Sequence, residues 1–238
     1  MHRLLVDRTL LDETSPLLPK EAARHLKVLR PERGEEIELF DGAGGSRVYA
    51  WSGSGLTAAS PRTHADPPPP LTLFACVTKG SRWDWTVEKA TELGVTRIVP
   101  VISDRTIVRI PAAERAAKRE RWTRIAEDAA RQSDAKWLPE IVEAVDFKDA
   151  LGLVRETTCY IGALTTPPSP ALAAAVGNSA RNSHKPLAAF IGPEGDFTPE
   201  ELAALIAIAV PTSFGPTVLR AETAAIFAVS VIQGLATL

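Results

Sequence analysis

The rhythm of hydrophobic and polar positions changes near residue 70. Before it, apolar positions come in short groups. Residues 36–40 (Glu-Ile-Glu-Leu-Phe) alternate, residues 41–45 (Asp-Gly-Ala-Gly-Gly) supply turn chemistry, and Arg47–Trp51 alternates again. That is the pattern of two strands joined by a turn. Across Lys20–Arg30, the side chains Ala22, Ala23, Leu26 and Leu29 recur at helical spacing on one face. Residues 1–66 therefore predict a small, mainly β, barrel-like module. Pro67, Pro68, Pro69 and Pro70 follow, and four prolines fit neither a helix nor a central strand. Residues 67–70 read as a stiff extended linker.

After Pro70 the groups lengthen. Leu71–Val77, Arg97–Ile102, Thr158–Leu164 and Leu187–Ile191 are apolar strands. Ser81-Arg-Trp-Asp84 has the spacing of a capping box, opening a helix that Gly94 closes. Residues 112–132 form a long charged helix. Thr198-Pro-Glu-Glu201 is a second start signal, with Thr as cap and Pro at the first helical position. Residues 221–235 form a final helix, apolar on nearly every side, which demands burial all round. The stretch 165–186 is a long connection around an Ala-rich piece, and no internal repeat is present. Strands alternating with helices predict an α/β fold, with a mostly parallel sheet covered on both faces, over residues 71–238.

The net charge of −2 argues against binding nucleic acid through bulk charge. The distribution alters that reading. Lys and Arg number 9 against 10 Asp and Glu over residues 1–70, 13 against 10 over 71–140, and 5 against 9 over 141–238. A basic middle thus precedes an acidic last part, and a local phosphate contact stays open. Cys76 and Cys159 each sit in an apolar run, which suits buried reduced thiols rather than a disulfide framework or metal cluster. The start lacks a signal-peptide apolar region and no run approaches a membrane span, so the expected location is the cytoplasm.

Three segments carry candidate chemistry. Ile191, Gly192, Pro193, Glu194 and Gly195 end an apolar strand and turn into the capped helix at Thr198. Ligands of open α/β sheets bind beyond such strand ends, although an ordinary turn gives the same pattern. Phe214, Gly215, Val218, Leu219 and Arg220 form a loop entering the last helix, where Glu222 suits the helix dipole or a catalytic role. Lys79 and Arg82 stand at the end of the first strand after the prolines, placed to meet a phosphate backbone. Of Trp83 and Trp85, one suits the core and one is available to stack on a base.

These segments, in this order, resemble the SPOUT superfamily of S-adenosylmethionine-dependent RNA methyltransferases. Within it they are most similar to the bacterial type that methylates N3 of a uridine in 16S ribosomal RNA of the small subunit (RsmE type). The resemblance rests on residues 25–30 (His-Leu-Lys-Val-Leu-Arg), 39–42 (Leu-Phe-Asp-Gly), 79–82 (Lys-Gly-Ser-Arg), 87–95 (Val-Glu-Lys-Ala-Thr-Glu-Leu-Gly-Val) and 103–105 (Ser-Asp-Arg). It continues through Gln132-Ser133, Pro139-Glu140, residues 191–195 and residues 219–224 (Leu-Arg-Ala-Glu-Thr-Ala). It implies a PUA-like RNA-binding β-barrel at the N-terminus, a deep trefoil knot in the C-terminal domain, and a homodimer through the final helix. It also makes the 191–195 and 214–220 loops cofactor loops, and Lys27, Arg30, Lys79, Arg82 and Arg105 RNA contacts. Arg220 and Glu222 become the catalytic pair: the guanidinium stabilises the uracil anion and the carboxylate takes the N3 proton. The sulfonium is already an activated methyl donor, so no metal is expected.

Asp196 stands where a second glycine usually follows, Ala135 where an arginine is usual, and Thr217 where the Gly-x-Arg-x-Leu-Arg segment has its first arginine. They leave two other classes open: a methyltransferase acting on another RNA, and a non-catalytic RNA-binding assembly factor.

Overall fold

The structure is a computed structural model, and it describes residues 1–163, 168–179 and 185–237. It divides into two compact units. The first comprises Met1–Pro68 with Glu127–Leu138, and the second Pro69–Ala126 with Pro139–Leu238.

The first unit is a five-stranded mixed sheet. Its strands are β1 (His2–Leu5), β2 (Glu36–Phe40), β3 (Gly45–Trp51), β4 (Leu56–Ala58) and β5 (Thr63–His64). β1 runs parallel to β2, and the remaining pairs are antiparallel. Helix α1 (Lys20–Leu29) presents the buried Leu26 to a core of Leu4, Leu11, Ile37, Leu39, Tyr49 and Leu56. One side chain departs from the alternation of residues 36–40. Glu38 is only 4% exposed, because segment 127–138 packs on this unit and the second face of β2 is covered. Arg3, the cross-strand neighbour of Glu38, donates from Nε to its Oε2 at 2.6 Å. Its other nitrogens reach the carbonyls of Ala130 at 2.6 Å and Ala135 at 3.2 Å. Lys136 holds the second Glu38 oxygen. Burial pushes the Glu38 carboxyl up, but hydrogen bonds from Lys136 and Arg3 outweigh it and leave the group below its ordinary range.

The second unit is a seven-stranded sheet whose pairs are all parallel. In chain order its elements are β6 (Leu71–Cys76), α2 (Ser81–Glu92), β7 (Arg97–Ile102), α3 (Ala112–Ser133, whose residues from Glu127 on belong to the first unit), β8 (Glu140–Ile141), β9 (Val145–Asp146), α4 (Phe147–Val154) and β10 (Thr158–Gly162). Then follow α5 (Leu172–Ser179), β11 (Leu187–Ile191), α6 (Pro199–Ile206), β12 (Val210–Thr212) and α7 (Ala221–Ala236). Residues 164–167 and 180–184 of the long connection lie outside the described residues.

Strand order is β12-β10-β11-β6-β7-β8, with β9 also on β7. Alternate side chains of β6 feed two cores. Leu71, Leu73 and Ala75 meet α2, α5 and α7 through Val87, Val176 and Val229, while Phe74 and Cys76 meet α4 and α6 through Val154 and Leu205. The parallel sheet covered on both faces is therefore as the sequence predicts.

One local expectation needs correction, and two others take definite form. Ser81 is not a cap: Gly80, at φ 68°, is the N-cap of α2, and no side chain caps it. Helical geometry starts one residue earlier because only glycine enters that backbone region freely. α7 is not enclosed all round within the chain. Ala225, Ala228, Val229 and Ile232 are buried, whereas Phe227 stays 37% exposed. Trp83 is the core tryptophan, 2% exposed and edge-on to Trp122 at 5.4 Å, while Trp85 stays at the surface. The box at Thr198 does form, with its hydroxyl on the Glu201 amide and the Glu201 carboxylate on its own.

Candidate functional site

In an all-parallel sheet every strand ends on the same edge. The loops after β6, β7, β11 and β12 therefore gather at one rim, as does the start of α7. β6 leads into α2 on one face, and its neighbour β11 leads into α6 on the other. Adjacent strands whose connections leave to opposite faces form a topological switch point, where open α/β sheets hold ligands.

The switch point is lined by charge. Arg82, in the first turn of α2, lies 3.5 Å from Glu194 of the 191–195 loop and 3.7 Å from Glu222 of α7. Three segments that sequence spacing treats separately are thus tied by one guanidinium. The sequence predicts an RNA contact for Arg82, whereas in the structure its guanidinium faces two carboxylates. Glu222 has a side chain 13% exposed, and its Oε2 is buried with no hydrogen-bond partner among the described residues. A buried carboxylate oxygen without a donor is costly, and it marks a place where a ligand N–H or O–H completes the arrangement. Arg220, the N-cap of α7, is exposed and makes no ion pair with Glu222. The structure thus pairs Glu222 with Arg82, a partner the Leu-Arg-x-Glu spacing does not announce.

Two further anchors hold the rim. Arg105 donates from Nη1 to the carbonyls of Gly195 at 3.1 Å and Phe197 at 3.2 Å. Glu201 accepts from the Asp104 amide at 2.9 Å and the Thr198 amide at 3.0 Å, linking the loop after β7 to the start of α6. Arg105 is thus partly engaged in bracing the 191–195 loop, whereas Lys79 is exposed. Phe197 packs on Phe190 and Phe147 and pins the far end of the loop. Gly192 has no room for a side chain without Phe197 yielding, since an added Cβ falls 3.0 Å from that ring. In the second loop, Gly215 sits at φ 117°, open to glycine alone, and Val218 is 92% exposed.

Asp196 adopts φ 59°, and its Oδ1 accepts from the Phe197 amide at 2.7 Å. This explains a carboxylate where glycine is usual: the position needs the left-handed region, and aspartate tolerates it by bonding its own backbone. Asp196→Gly is therefore expected to change stability by less than about 1 kcal/mol, and Asp196→Val to lower it by about 1–2 kcal/mol. Denaturant titration of the two variants checks this, and a valine variant as stable as the glycine one contradicts it.

The rim supplies backbone at two glycine-bearing loops, an exposed aliphatic at Val218, and the unsatisfied Glu222 oxygen. That set suits a small ligand with an apolar body and hydrogen-bond donors. The RNA methyltransferase domain family matches residues 65–233, most of the chain. Ribosomal RNA small subunit methyltransferase E of Synechocystis is 31% identical over 245 residues, covering 98% of this chain and 78% of its own length. The chain belongs to this family. The enzyme of that name from Mycobacterium tuberculosis is 32% identical over 216 residues, covering 88% of this chain and 81% of its own. Among solved structures, the methyltransferase E of Neisseria gonorrhoeae bound to S-adenosyl methionine superposes with a TM-score of 0.81 at 29% identity, covering 99% of this chain and 98% of its own. A methyltransferase from Legionella pneumophila solved with bound SAM gives 0.79 at 27% identity, covering 98% of this chain and 96% of its own.

Among the described residues no group of three or more His, Cys, Asp or Glu side chains could hold a metal, and no helix is long and apolar enough to cross a membrane. Cys76 and Cys159 are free and buried, and burial pushes both thiols up, Cys76 to about 11.

Proposed function

We propose that this methyltransferase E family member transfers a methyl group from S-adenosylmethionine to N3 of a uridine in 16S ribosomal RNA of the small subunit. The observation that carries the reading is the unpartnered Glu222 oxygen at the switch point, in a chain of which 98% aligns with the methyltransferase E of Synechocystis. Residues of the 191–195 loop and of 214–220 would hold the cofactor, with Gly192, Gly195 and Gly215 allowing its close approach. When bound, it supplies a methyl on a sulfonium, whose carbon–sulfur electron pair returns to sulfur on transfer.

The chain's own residues then have two tasks. Glu222 accepts the N3 proton, so that the nitrogen lone pair becomes available. Arg220, exposed at the mouth of the site, neutralises the charge spreading onto the uracil oxygens. Arg82 is a positioning residue that keeps Glu222 and Glu194 at the rim.

The family resemblance also supports a PUA-like RNA-binding role for the first unit, a trefoil knot in the second, and a cytoplasmic homodimer through α7. The surface position of Phe227 on that apolar helix favours the dimer.

Titration of the chain with S-adenosylmethionine by calorimetry tests the reading. Saturable binding that is weakened by replacing Gly192 or Gly215 with valine is expected. Absence of binding at millimolar cofactor would favour a non-catalytic assembly factor.

A further inference from the structure

The first unit holds a cavity of about 340 Å³, within the roughly 300–1,000 Å³ range of small-ligand sites. Leu17, Leu26 and Leu56 supply apolar wall, Trp51 an indole, and Lys27 and Arg30 two cations. No carboxylate lines it. Neither cation has a side-chain ion pair or hydrogen bond among the described residues. Leu17 is 88% exposed beside this cavity, an unusual outlay of apolar surface.

Arg30 adds a second observation. It ends α1 at φ 49° and ψ 53°, the left-handed conformation in which glycine is the usual residue. An arginine there carries a backbone cost that glycine would not, and its side chain is what the position gains.

We propose that this cavity binds one unpaired nucleotide of RNA, its base on the Trp51 indole and its flanking phosphates at Lys27 and Arg30. This rests on the RNA-methyltransferase reading for the identity of the partner. The three components match the three parts of a nucleotide. Every base has a π-face that stacks on an aromatic ring, the leucines exclude water from its edges, and the two cations neutralise phosphate. An apolar peptide would fill the same walls but leave both cations without countercharge.

The test is fluorescence anisotropy of the full chain with a labelled short single-stranded RNA of mixed sequence, repeated over a range of salt. Trp51→Leu is expected to weaken binding by roughly fivefold to a hundredfold, while Trp51→Phe retains most of it. Arg30→Gly removes the cation and suits the backbone, so it keeps the fold and still weakens binding, with a salt slope lower by about one. S-adenosylmethionine affinity stays at the wild-type value in all three. If Arg30→Gly and Trp51→Leu bind the RNA as the wild type does, the subsite is overturned, even where small subunits are still methylated. If the variants lose RNA binding while the wild type methylates no RNA, the subsite stands and the enzymatic reading fails.

Discussion

Glu222→Gln lowers kcat for methyl transfer by roughly 10²–10⁴-fold, the range that loss of a positioned general base produces. The amide keeps the size of the side chain and removes its capacity to take a proton. Because Oε2 has no partner among the described residues, the substitution breaks no hydrogen bond there; it removes only the 3.7 Å pairing of Oε1 with the exposed Arg82, so stability changes little. Affinity for S-adenosylmethionine should change by less than the turnover does. Arg82→Ala acts through the same carboxylate, so its effect is expected to be smaller and not additive with that of Glu222→Gln. Single-turnover rates on small subunits, measured for both variants and the double variant, check this. Near-normal turnover of Glu222→Gln would remove the carboxylate from the chemistry.

Arg3→Ala lowers the unfolding free energy by about 3 kcal/mol, since it leaves the buried Glu38 with Lys136 as its one cationic partner and takes a donor from two carbonyls. Arg3 is 8% exposed and holds Glu38, the Ala130 carbonyl and the Ala135 carbonyl together, so one truncation removes a donor from three acceptors. The same network sets a pH dependence. The carboxyl of Glu38 lies below its ordinary value of 4.5 in the folded chain. Its contribution is therefore complete above that value and is lost as pH falls through the lower, folded one. Urea titrations across the acid range should show stability dropping below about pH 4.5, with a smaller drop in Glu38→Gln. An Arg3→Ala protein with wild-type stability contradicts this account of the network.

Long, periodic or strongly capped segments were readable from the sequence. The apolar strands β6, β7, β10 and β11, the charged helix α3 and the capping box at Thr198 all carry signals local to a few residues. Parallel order followed from their alternation with helices. What the sequence withheld depends on residues far apart in the chain. Glu38 reads as the polar position of an alternating strand, and only segment 127–138, some ninety residues on, makes it internal. The short strands β8 and β9 span two residues each, too few for any periodicity to register.

The site was legible in outline and not in its connections. Glycine, proline and a helix start marked the 191–195 loop, and the Arg-x-Glu spacing marked Glu222. Nothing in either segment names Arg82, which reaches Glu194 and Glu222 across more than a hundred residues. Asp196 reads as a departure at the level of residue type and becomes intelligible once its φ of 59° is known.

Methyl transfer is tested most directly on the small subunit. Small subunits from cells lacking this gene, incubated with the purified chain and S-adenosylmethionine, can be followed by mass mapping of the 16S ribosomal RNA. One uridine should gain a methyl group, and reverse transcription should stop there because an N3 methyl blocks the pairing edge. An RNA whose uridines remain unmodified at saturating enzyme and cofactor contradicts the account.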